Sequence, residues 1–204
     1  MSETDETSPT TRPDKQQLRN LLRQRRRALS PAQQRDAADG VIQQITAIRH
    51  WHEAQCIGLY LAADGEVDTG PLAKLGRAAS KELFLPVIRA DNSLAFAVWE
   101  QGATLRPNRF GIPEPGSERR EATHLDLLIV PLVGWDRSGG RLGMGGGFYD
   151  RSLCGQVRPV LVGLAHDCQE VSLLPRDSWD VPVDFIATDT ALYDCQGVNK
   201  AART

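Results

Sequence analysis

The stretch LDLLIVPLVGWDRSGGRLGMGGGFYDR, residues 125–151, decides how the rest of the chain is interpreted. Its apolar start is followed by six glycines within nine residues, from Gly139 to Gly147. A packed core needs no such density of glycine, whereas a loop whose backbone N–H groups approach a phosphate does. Phe148 opens the helix predicted after the loop, and the amino terminus of a helix favours anions. We therefore predict a buried strand, a phosphate-binding loop and a helix, in that order.

Two common phosphate-binding motifs fit this loop poorly. The P-loop motif requires Lys-Ser or Lys-Thr after its last glycine, and here Phe148 and Tyr149 follow instead. The dinucleotide fingerprint G-x-G-x-x-G fits only approximately, through Gly143-Met-Gly-Gly-Gly147, and lacks a strand followed by an acidic residue at the expected spacing. The whole string, with Arg141, the glycines, the aromatic pair and Asp150-Arg151, is the specific signal.

Apolar runs of strand length alternate with amphipathic segments along the chain. Helices are predicted from Asp14, over 31 to about 49, over 71–80 and from 148 to 154, and strands over 55–61, 82–87, 94–99, 125–133, 158–165 and 185–188. Residues 100–123 are predicted to be irregular, and residues 171–180 a short, partly helical connection. The pattern predicts an α/β fold: a three-layer α/β/α sandwich around a mostly parallel sheet. We expect a single domain over residues 14–196, a disordered tail over 1–13 and a frayed tail over 197–204.

Composition limits the function classes. The formal net charge of −2 over 204 residues provides no global field for nucleic acid or an anionic membrane, so anion binding must be local. No apolar run approaches the roughly 18 residues of a membrane span. The polar, acidic start of the chain is the reverse of a secretory signal. Four widely spaced cysteines, with no C-x-x-C pair, argue against structural zinc and a disulfide framework. A cytoplasmic protein is the expectation.

The first predicted helix carries six cations between Lys15 and Arg27 around an apolar face. Such a run is usually a solvated basic face. Alternatively, Lys15 and Arg19 lie one helical turn apart and could reach together for one polyanionic ligand. The sequence leaves both interpretations open.

Acidic residues follow the strand predicted over 55–61, where open α/β sheets bind ligands. Asp68 suits the cap of the next helix, and Glu66 suits a ligand contact at least equally well. Phe110 is the large aromatic residue of the irregular segment, where it could anchor the loop or stack on a ligand.

Charged residues flank the glycines. Arg141 would neutralise phosphate charge, and Asp150 would offer a hard oxygen to Mg²⁺. The plainer alternatives are a helix first-turn acid for Asp150 and a salt bridge for Arg151.

Four ordered blocks resemble the 5-formyltetrahydrofolate cyclo-ligase family. They are Lys15-Gln-Gln-Leu-Arg19 with Ala28-Leu-Ser-Pro31, then Gly65-Glu-Val-Asp-Thr69 with Pro71-Leu72, then Gly111-Ile-Pro-Glu-Pro115, and finally Arg141-Leu-Gly-Met-Gly-Gly-Gly-Phe-Tyr-Asp-Arg151. The resemblance extends from Lys15 to about Val183, and the last block is its most specific part.

This resemblance implies ATP- and Mg²⁺-dependent closure of 5-formyltetrahydrofolate to 5,10-methenyltetrahydrofolate, with release of ADP and phosphate. The formyl oxygen would attack the γ-phosphate, and N10 of the folate would then attack the activated carbon. Positioning and charge neutralisation carry most of the catalysis in phosphoryl transfer. The partners implied are these small molecules, with no nucleic acid or membrane, and a monomer is expected.

Residue roles follow from the same resemblance. The family's ATP contacts match Lys15 and Arg19 together with the loop residues Arg141, Leu142, Gly143, Met144, Gly145, Gly146, Gly147, Phe148 and Tyr149. Folate contacts match Leu61, Glu66, Phe110, Met144 and Tyr149. Asp150 and Asp180 match metal ligands, and Arg141 and Glu66 are the candidates for catalysis. Many members carry a basic residue at Met144 or Gly146, where this chain has none.

Two other functions are compatible with the same residues. One is a sugar-phosphate isomerase or transferase on a similar α/β scaffold, which would need no ATP. The other is a non-catalytic protein that sequesters 5-formyltetrahydrofolate. A nucleic-acid binder acting through Arg23 to Arg27 lacks the overall charge and the interleaved aromatic residues.

Overall fold

The computed structural model describes residues 14–155 and 157–197. The predicted tail over 1–13 lies outside these residues, as does the predicted tail over 197–204 except for Gly197. The helices are α1 Lys15–Arg27, α2 Pro31–Ala47, α3 Arg49–Glu53, α4 Gly70–Ala78 and α5 Phe148–Leu153, with 3-10 turns at Ala122–His124 and Asp167–Gln169. Within the described residues no helix combines the length and apolar character needed to cross a membrane.

Twelve strands are described. They are β1 Cys56–Gly58, β2 Glu82–Ile88, β3 Leu94–Val98, β4 Leu105–Pro107, β5 Pro113–Pro115, β6 Arg119–Arg120, β7 Leu127–Pro131, β8 Gly134–Trp135, β9 Arg141–Leu142, β10 Val160–Leu164, β11 Phe185–Ala187 and β12 Leu192–Asp194.

Eight strands form the central sheet, in the order β12-β11-β10-β7-β1-β2-β3-β6. Its five middle strands, from β11 to β2, are parallel, and antiparallel strands extend both edges. The chain leaves β1 toward β2 on one side, and β7 then pairs with the other side of β1. Strand order therefore reverses between β1 and β7, and ligands bind at such a switch point in open α/β sheets. The predicted α/β class with a mostly parallel sheet is confirmed.

The sheet separates two hydrophobic cores because successive strand residues point to opposite faces. In β7, Leu127 and Ile129 pack on the side that holds α2, α3 and α4. Leu128 and Val130 pack on the side that holds α5. Both faces are covered, which explains why β7 is apolar at every position.

The start of α2 lies where the residues around Ser30 predicted it. The hydroxyl of Ser30 accepts from the Gln33 amide at 3.3 Å, the Gln33 side chain accepts from the Ser30 amide at 2.9 Å, and Pro31 starts the helix. The helix ends at Ala47 rather than near 49, because Ile48 is extended and the chain restarts as α3. The restart buries Trp51, which is 3% exposed.

Three segments differ from expectation. The irregular segment 100–123 contains the hairpin of β4 and β5 and the short edge strand β6. The connection over 171–180, predicted to be partly helical, contains no helix. β12 was not predicted at all, since three residues with polar neighbours carry little periodicity.

Candidate active site

A cleft of about 1730 Å³ opens where β1 and β7 end. The predicted site residues come from five separate parts of the chain, and every one of them lines this cleft. They are Lys15, Arg19, Leu61, Glu66, Phe110, Arg141, Leu142, Gly143, Met144, Gly145, Gly146, Gly147, Phe148, Tyr149, Asp150 and Asp180.

The base of the glycine loop is held by Asp136, which is fully buried. Its carboxylate accepts from the amides of Ser138, Gly140 and Leu174 at 2.9–3.0 Å and from Arg176 at 2.8 Å. Burial alone would raise the pKa of Asp136, but these hydrogen bonds outweigh it and lower the pKa. Asp136 therefore fixes the turn between β8 and β9 that presents the loop to the cleft.

The tip of the loop requires glycine for geometric reasons. Gly145 has φ of 97° and Gly147 has φ of 66°, which L residues with side chains rarely adopt. Arg19 donates from Nε to the Gly143 carbonyl at 2.9 Å, and a Cβ on Gly145 would lie 3.3 Å from Cζ of Arg19. Arg151 donates to the carbonyl of Gly146. The loop is thus clamped by one arginine on each side.

Arg141 lies behind the loop with only 7% of its side chain exposed. Its Nε donates to the Val181 carbonyl at 2.7 Å, and its Nη2 donates to the carboxylate of Asp150. Burial lowers the pKa of Arg141, and the charge of Asp150 opposes that shift. The Val181 amide also donates to Oδ1 of Asp150, at 3.1 Å. The guanidinium of Arg141 is therefore paired with Asp150 and held in one orientation without any ligand.

Lys15 reaches the cleft from the start of α1. Its Nζ donates to Oδ2 of Asp177 at 2.6 Å and to Oδ2 of Asp180 at 2.8 Å. Burial would lower the pKa of Lys15, but the two carboxylates outweigh it and raise the pKa. Lys15 and Arg19 thus line the cleft and contact other segments of the chain, so they do not lie on a purely solvated face.

The turn after β1 carries Glu66, whose side chain is 12% exposed. Its carboxylate accepts from the Ala63 amide at 3.1 Å and lies 3.6 Å from Nη2 of Arg26. Burial raises the pKa of Glu66, although the Ala63 hydrogen bond and the charge of Arg26 oppose the shift. Asp68, in contrast, lies outside the cleft; Thr69 is the N-cap of α4, and the Asp68 carboxylate accepts from the Gly70 amide at 2.9 Å.

Arg26 lies in the interior and not on the exposed basic face of α1 where its charge had placed it. It was counted on the basic face of α1, yet it is completely buried. Its guanidinium donates to the carbonyls of Asp64 and Leu132, at 2.8 and 3.0 Å, and to the Asp64 carboxylate at 2.8 Å. Spacing was the available signal, because Arg26 follows Leu18 and Leu22 at four-residue intervals on the apolar stripe. It links α1 to the ends of β1 and β7.

Aromatic residues also line the cleft. Phe110 is 56% exposed, and its ring meets that of Phe148 edge to face at 6.0 Å. Burial raises the pKa of Tyr149, and the charge of Glu66 adds to the shift. Met144 is 55% exposed at the loop tip. This part of the cleft combines apolar rings with few polar groups, as small-molecule sites commonly do.

The carboxylates of Asp150 and Asp180 fit a hard cation. Both described hydrogen bonds of Asp150 end on Oδ1, and those of Asp180 end on Oδ2. The second oxygen of each is therefore the atom that a metal would use. In the described part of the cleft no three His, Cys, Asp or Glu ligand atoms lie close enough to share one ion. A Mg²⁺ ion would complete its shell with water and phosphate oxygens, as is usual for this ion.

Fold and cleft together define an α/β protein with a glycine-rich loop in a cleft at the switch point of its sheet. Residues 11–189 match the family model of the 5-formyltetrahydrofolate cyclo-ligase family. The chain belongs to this family.

Individual relatives agree over nearly the whole chain. The 5-formyltetrahydrofolate cyclo-ligase of Escherichia coli K12 is 38% identical over 181 residues, which cover 85% of this chain and 100% of the relative. That of the mouse is 31% identical and covers 84% and 92%. The 5,10-methenyltetrahydrofolate synthetase of Aquifex aeolicus superposes with a TM-score of 0.79 at 33% identity, covering 89% of this chain and 93% of that one. The Mycoplasma pneumoniae synthetase gives 0.72 at 26% identity, covering 87% and 99%.

Proposed function

We propose that this protein catalyses the ATP-dependent cyclisation of 5-formyltetrahydrofolate to 5,10-methenyltetrahydrofolate, with ADP and phosphate as the other products. Family membership supports the reaction. One observation carries the proposal. The glycine loop, Lys15 and Arg19 of α1, and the largely buried carboxylate of Glu66 all line one cleft that is large enough for both substrates.

The chemistry proceeds in two displacements. The formyl oxygen attacks the γ-phosphorus of ATP, the bond to the bridging oxygen breaks, and ADP leaves. N10 of the folate then attacks the activated formyl carbon and gives up its proton, and the carbon–oxygen bond breaks as phosphate departs with that proton as HPO₄²⁻. The protein forms no covalent bond in either step, so its contribution is positioning and electrostatic stabilisation.

Charge on the ATP side comes from a small set of residues. Because Met144 and Gly146 are uncharged, Lys15, Arg19 and Arg141 supply the positive charge, and the loop amides supply hydrogen-bond donors. Arg19 holds the loop through the Gly143 carbonyl and can share its remaining N–H groups with phosphate. Lys15 would exchange part of its contact with Asp177 and Asp180 for the ligand.

Asp150 and Asp180 would hold Mg²⁺, which neutralises charge on the transferred phosphoryl group. If Asp150 shared its charge with a metal, it would hold Arg141 less tightly, and that guanidinium could turn toward the phosphate. Asp180 would similarly release Lys15. In the absence of ligands, the Arg141–Asp150 and Lys15–Asp180 ion pairs therefore neutralise the charges that phosphate and Mg²⁺ would neutralise in the complex.

The folate would lie along Leu61, Phe110, Met144 and Tyr149, with Glu66 accepting hydrogen bonds from pterin N–H groups. A carboxylate that is only 12% exposed makes strong bonds to such donors, because little water competes for it. Its raised pKa means that folate affinity should fall earlier on acidification than for an ordinary glutamate.

The decisive experiment mixes purified protein with 5-formyltetrahydrofolate, ATP and Mg²⁺ in mildly acidic buffer and follows the near-ultraviolet absorbance of the methenyl product. Controls omit ATP or protein. Glu66→Gln should slow the reaction at least tenfold, while Glu53→Gln, an exposed glutamate on α3 paired with Arg49, should not. A flat trace with folate binding would favour a sequestering protein. A flat trace without binding would favour a phosphorylated-sugar substrate.

We also retain three organisational proposals. The domain covers residues 14–196, the protein is a monomer, and it acts in the cytoplasm. The single domain is supported by the family match over residues 11–189, and the cytoplasmic location by four free cysteines. Light scattering on the purified protein tests the monomer directly.

A further inference from the structure

A second group of potential ligand atoms lies at the opposite edge of the sheet from the cleft. Cys56 is the first residue of β1 and Glu82 the first of β2, while His124 ends the 3-10 turn before β7. Parallel strands begin at one edge and end at the other, so this edge is remote from the residues that follow β1 and β7. Neither the family resemblance nor the proposed reaction uses these three side chains.

We propose that Cys56, Glu82 and His124 form a binding site for a borderline-soft divalent ion of the Zn²⁺ type. The Cys56 Sγ lies 3.8 Å from Oε2 of Glu82 and 3.9 Å from Nε2 of His124. All three ligand atoms lie within 4.8 Å of one another. Ligand bonds of about 2.0–2.3 Å in tetrahedral geometry place neighbouring donors about 3.5 Å apart, so small side-chain rotations close the site. Water would occupy the fourth position.

The donor types determine which ion is expected. Thiolate and imidazole favour Zn²⁺ and its neighbours in the transition series, whereas Mg²⁺ prefers oxygen ligands alone. The two metal ligands proposed in the cleft, Asp150 and Asp180, are both carboxylates, so the two places select different ions. Among the described residues, this is the one group of three such side chains with ligand atoms in mutual reach.

Backbone structure holds the three residues in place. Cys56 and Glu82 are direct partners in the parallel register of β1 and β2. Asp126 accepts from the amides of Gln55 and Cys56, both at 2.8 Å, and donates its own amide to the Cys56 carbonyl at 2.9 Å. The imidazole of His124 packs edge-on against the fully buried ring of Phe84, with centroids 5.6 Å apart. A site anchored on rigid elements binds more tightly than one assembled from loops.

The geometry also leaves the ion a route in. Glu82 and His124 are exposed and Cys56 is half-buried, so a hydrated ion reaches the thiol without any opening of the sheet. Binding would join β1, β2 and the turn before β7, three segments that are far apart in sequence. An ion that binds only the folded chain stabilises it by mass action.

The test uses full-length, tag-free protein stripped of metal and titrated with Co²⁺, which has visible and charge-transfer absorption in a thiolate site. We expect one equivalent of Co²⁺ to produce the thiolate charge-transfer band and Zn²⁺ to displace it. Cys56→Ser should abolish the band, and Glu82→Gln should weaken affinity at least tenfold. Cys168→Ser, which removes another half-buried free thiol, is the matched control and should retain the band.

The proposal is overturned if no band develops, or if the band survives in Cys56→Ser, whatever Cys168→Ser shows. Should Cys56→Ser fail to fold, Glu82→Gln and His124→Asn decide the matter, since both alter exposed side chains. Unchanged Co²⁺ affinity in both would overturn it. Zn²⁺ should raise the thermal unfolding midpoint of the natural protein more than that of Glu82→Gln at the same Zn²⁺ concentration.

Discussion

Arg141 and Asp150, nine residues apart on either side of the glycines, are hydrogen-bonded to each other across the base of the loop. Both are also tied to Val181, through its carbonyl and its amide respectively. The pair thus closes the loop onto a segment 40 residues further along the chain. This contact shapes the loop. It also pairs the guanidinium that we propose for ATP phosphate with the carboxylate that we propose for Mg²⁺.

Arg141→Ala should lower kcat at least about tenfold, because removing one preorganised charge-stabilising donor typically costs that much or more. Arg141→Lys should recover part of the loss, since it restores charge without the planar donor geometry. Arg137→Ala is the matched control, because Arg137 is 69% exposed, pairs with Glu170 and lies outside the cleft. Steady-state kinetics with ATP varied provide the measurement. Normal turnover in Arg141→Ala would remove its catalytic assignment.

Asp150→Asn keeps the shape of the side chain and removes its charge. If Asp150 holds the metal, half-maximal activity should require at least about tenfold more Mg²⁺. Asp194→Asn, on the exposed edge strand β12, should leave the Mg²⁺ dependence unchanged. A shift in maximal rate at constant Mg²⁺ dependence would instead assign Asp150 to loop shape alone.

Gly145→Ala should raise the KM for ATP severalfold and lower stability by about 1–2 kcal/mol. The strain arises because φ of 97° suits glycine and the new Cβ would lie 3.3 Å from Cζ of Arg19. Gly116→Ala is the control, since a Cβ there meets nothing within 4 Å. ATP titrations and thermal melts of both variants test this. Equal KM values would show that the loop tip tolerates a side chain.

Phe110→Ala should weaken folate binding about three- to tenfold, the usual contribution of an aromatic contact, and leave the KM for ATP unchanged. Phe110→Trp should preserve affinity, because a larger ring offers the same stacking face. Leu173→Ala removes another exposed apolar side chain, 62% exposed and outside the cleft, and should have no effect. Equilibrium binding of 5-formyltetrahydrofolate distinguishes these outcomes.

Asp64→Asn should cost about 2 kcal/mol at neutral pH, and this difference should shrink in acid. Burial would raise the pKa of Asp64, but hydrogen bonds from Arg23, Arg26 and Arg27 lower it to about 2. A depressed folded pKa stabilises the protein above the unfolded value near 4. That stabilisation is lost as the pH falls from about 4 toward 2.

Asparagine also tolerates the left-handed backbone of residue 64, where φ is 54°, so the substitution tests charge and not conformation. Urea unfolding at several pH values provides the measurement. A stability difference between the two proteins that stays constant down to pH 2 would contradict the role of the carboxylate.

Local signals were sufficient for several elements. Ser30, Pro31 and Gln33 marked the start of α2 because a capping box involves only adjacent residues. The uniformly apolar β7 predicted a buried strand, and the density of glycine after it predicted a loop before the next helix. Local signals did not predict the short strand β12 or the restart of the chain at α3, because the formation of both depends on distant neighbours.

The sequence by itself determined the alternation of strands and helices, the loop and the family to which its motifs point, because these features depend on the order and spacing of nearby residues. Only the tertiary structure decided which charge each cation meets. Arg26 became a buried link to Asp64 and Leu132, Lys15 found Asp177 and Asp180, and Cys56 came to lie beside Glu82 and His124. The physical reason is that strand order and sheet register bring together segments tens of residues apart, and no local pattern records that pairing.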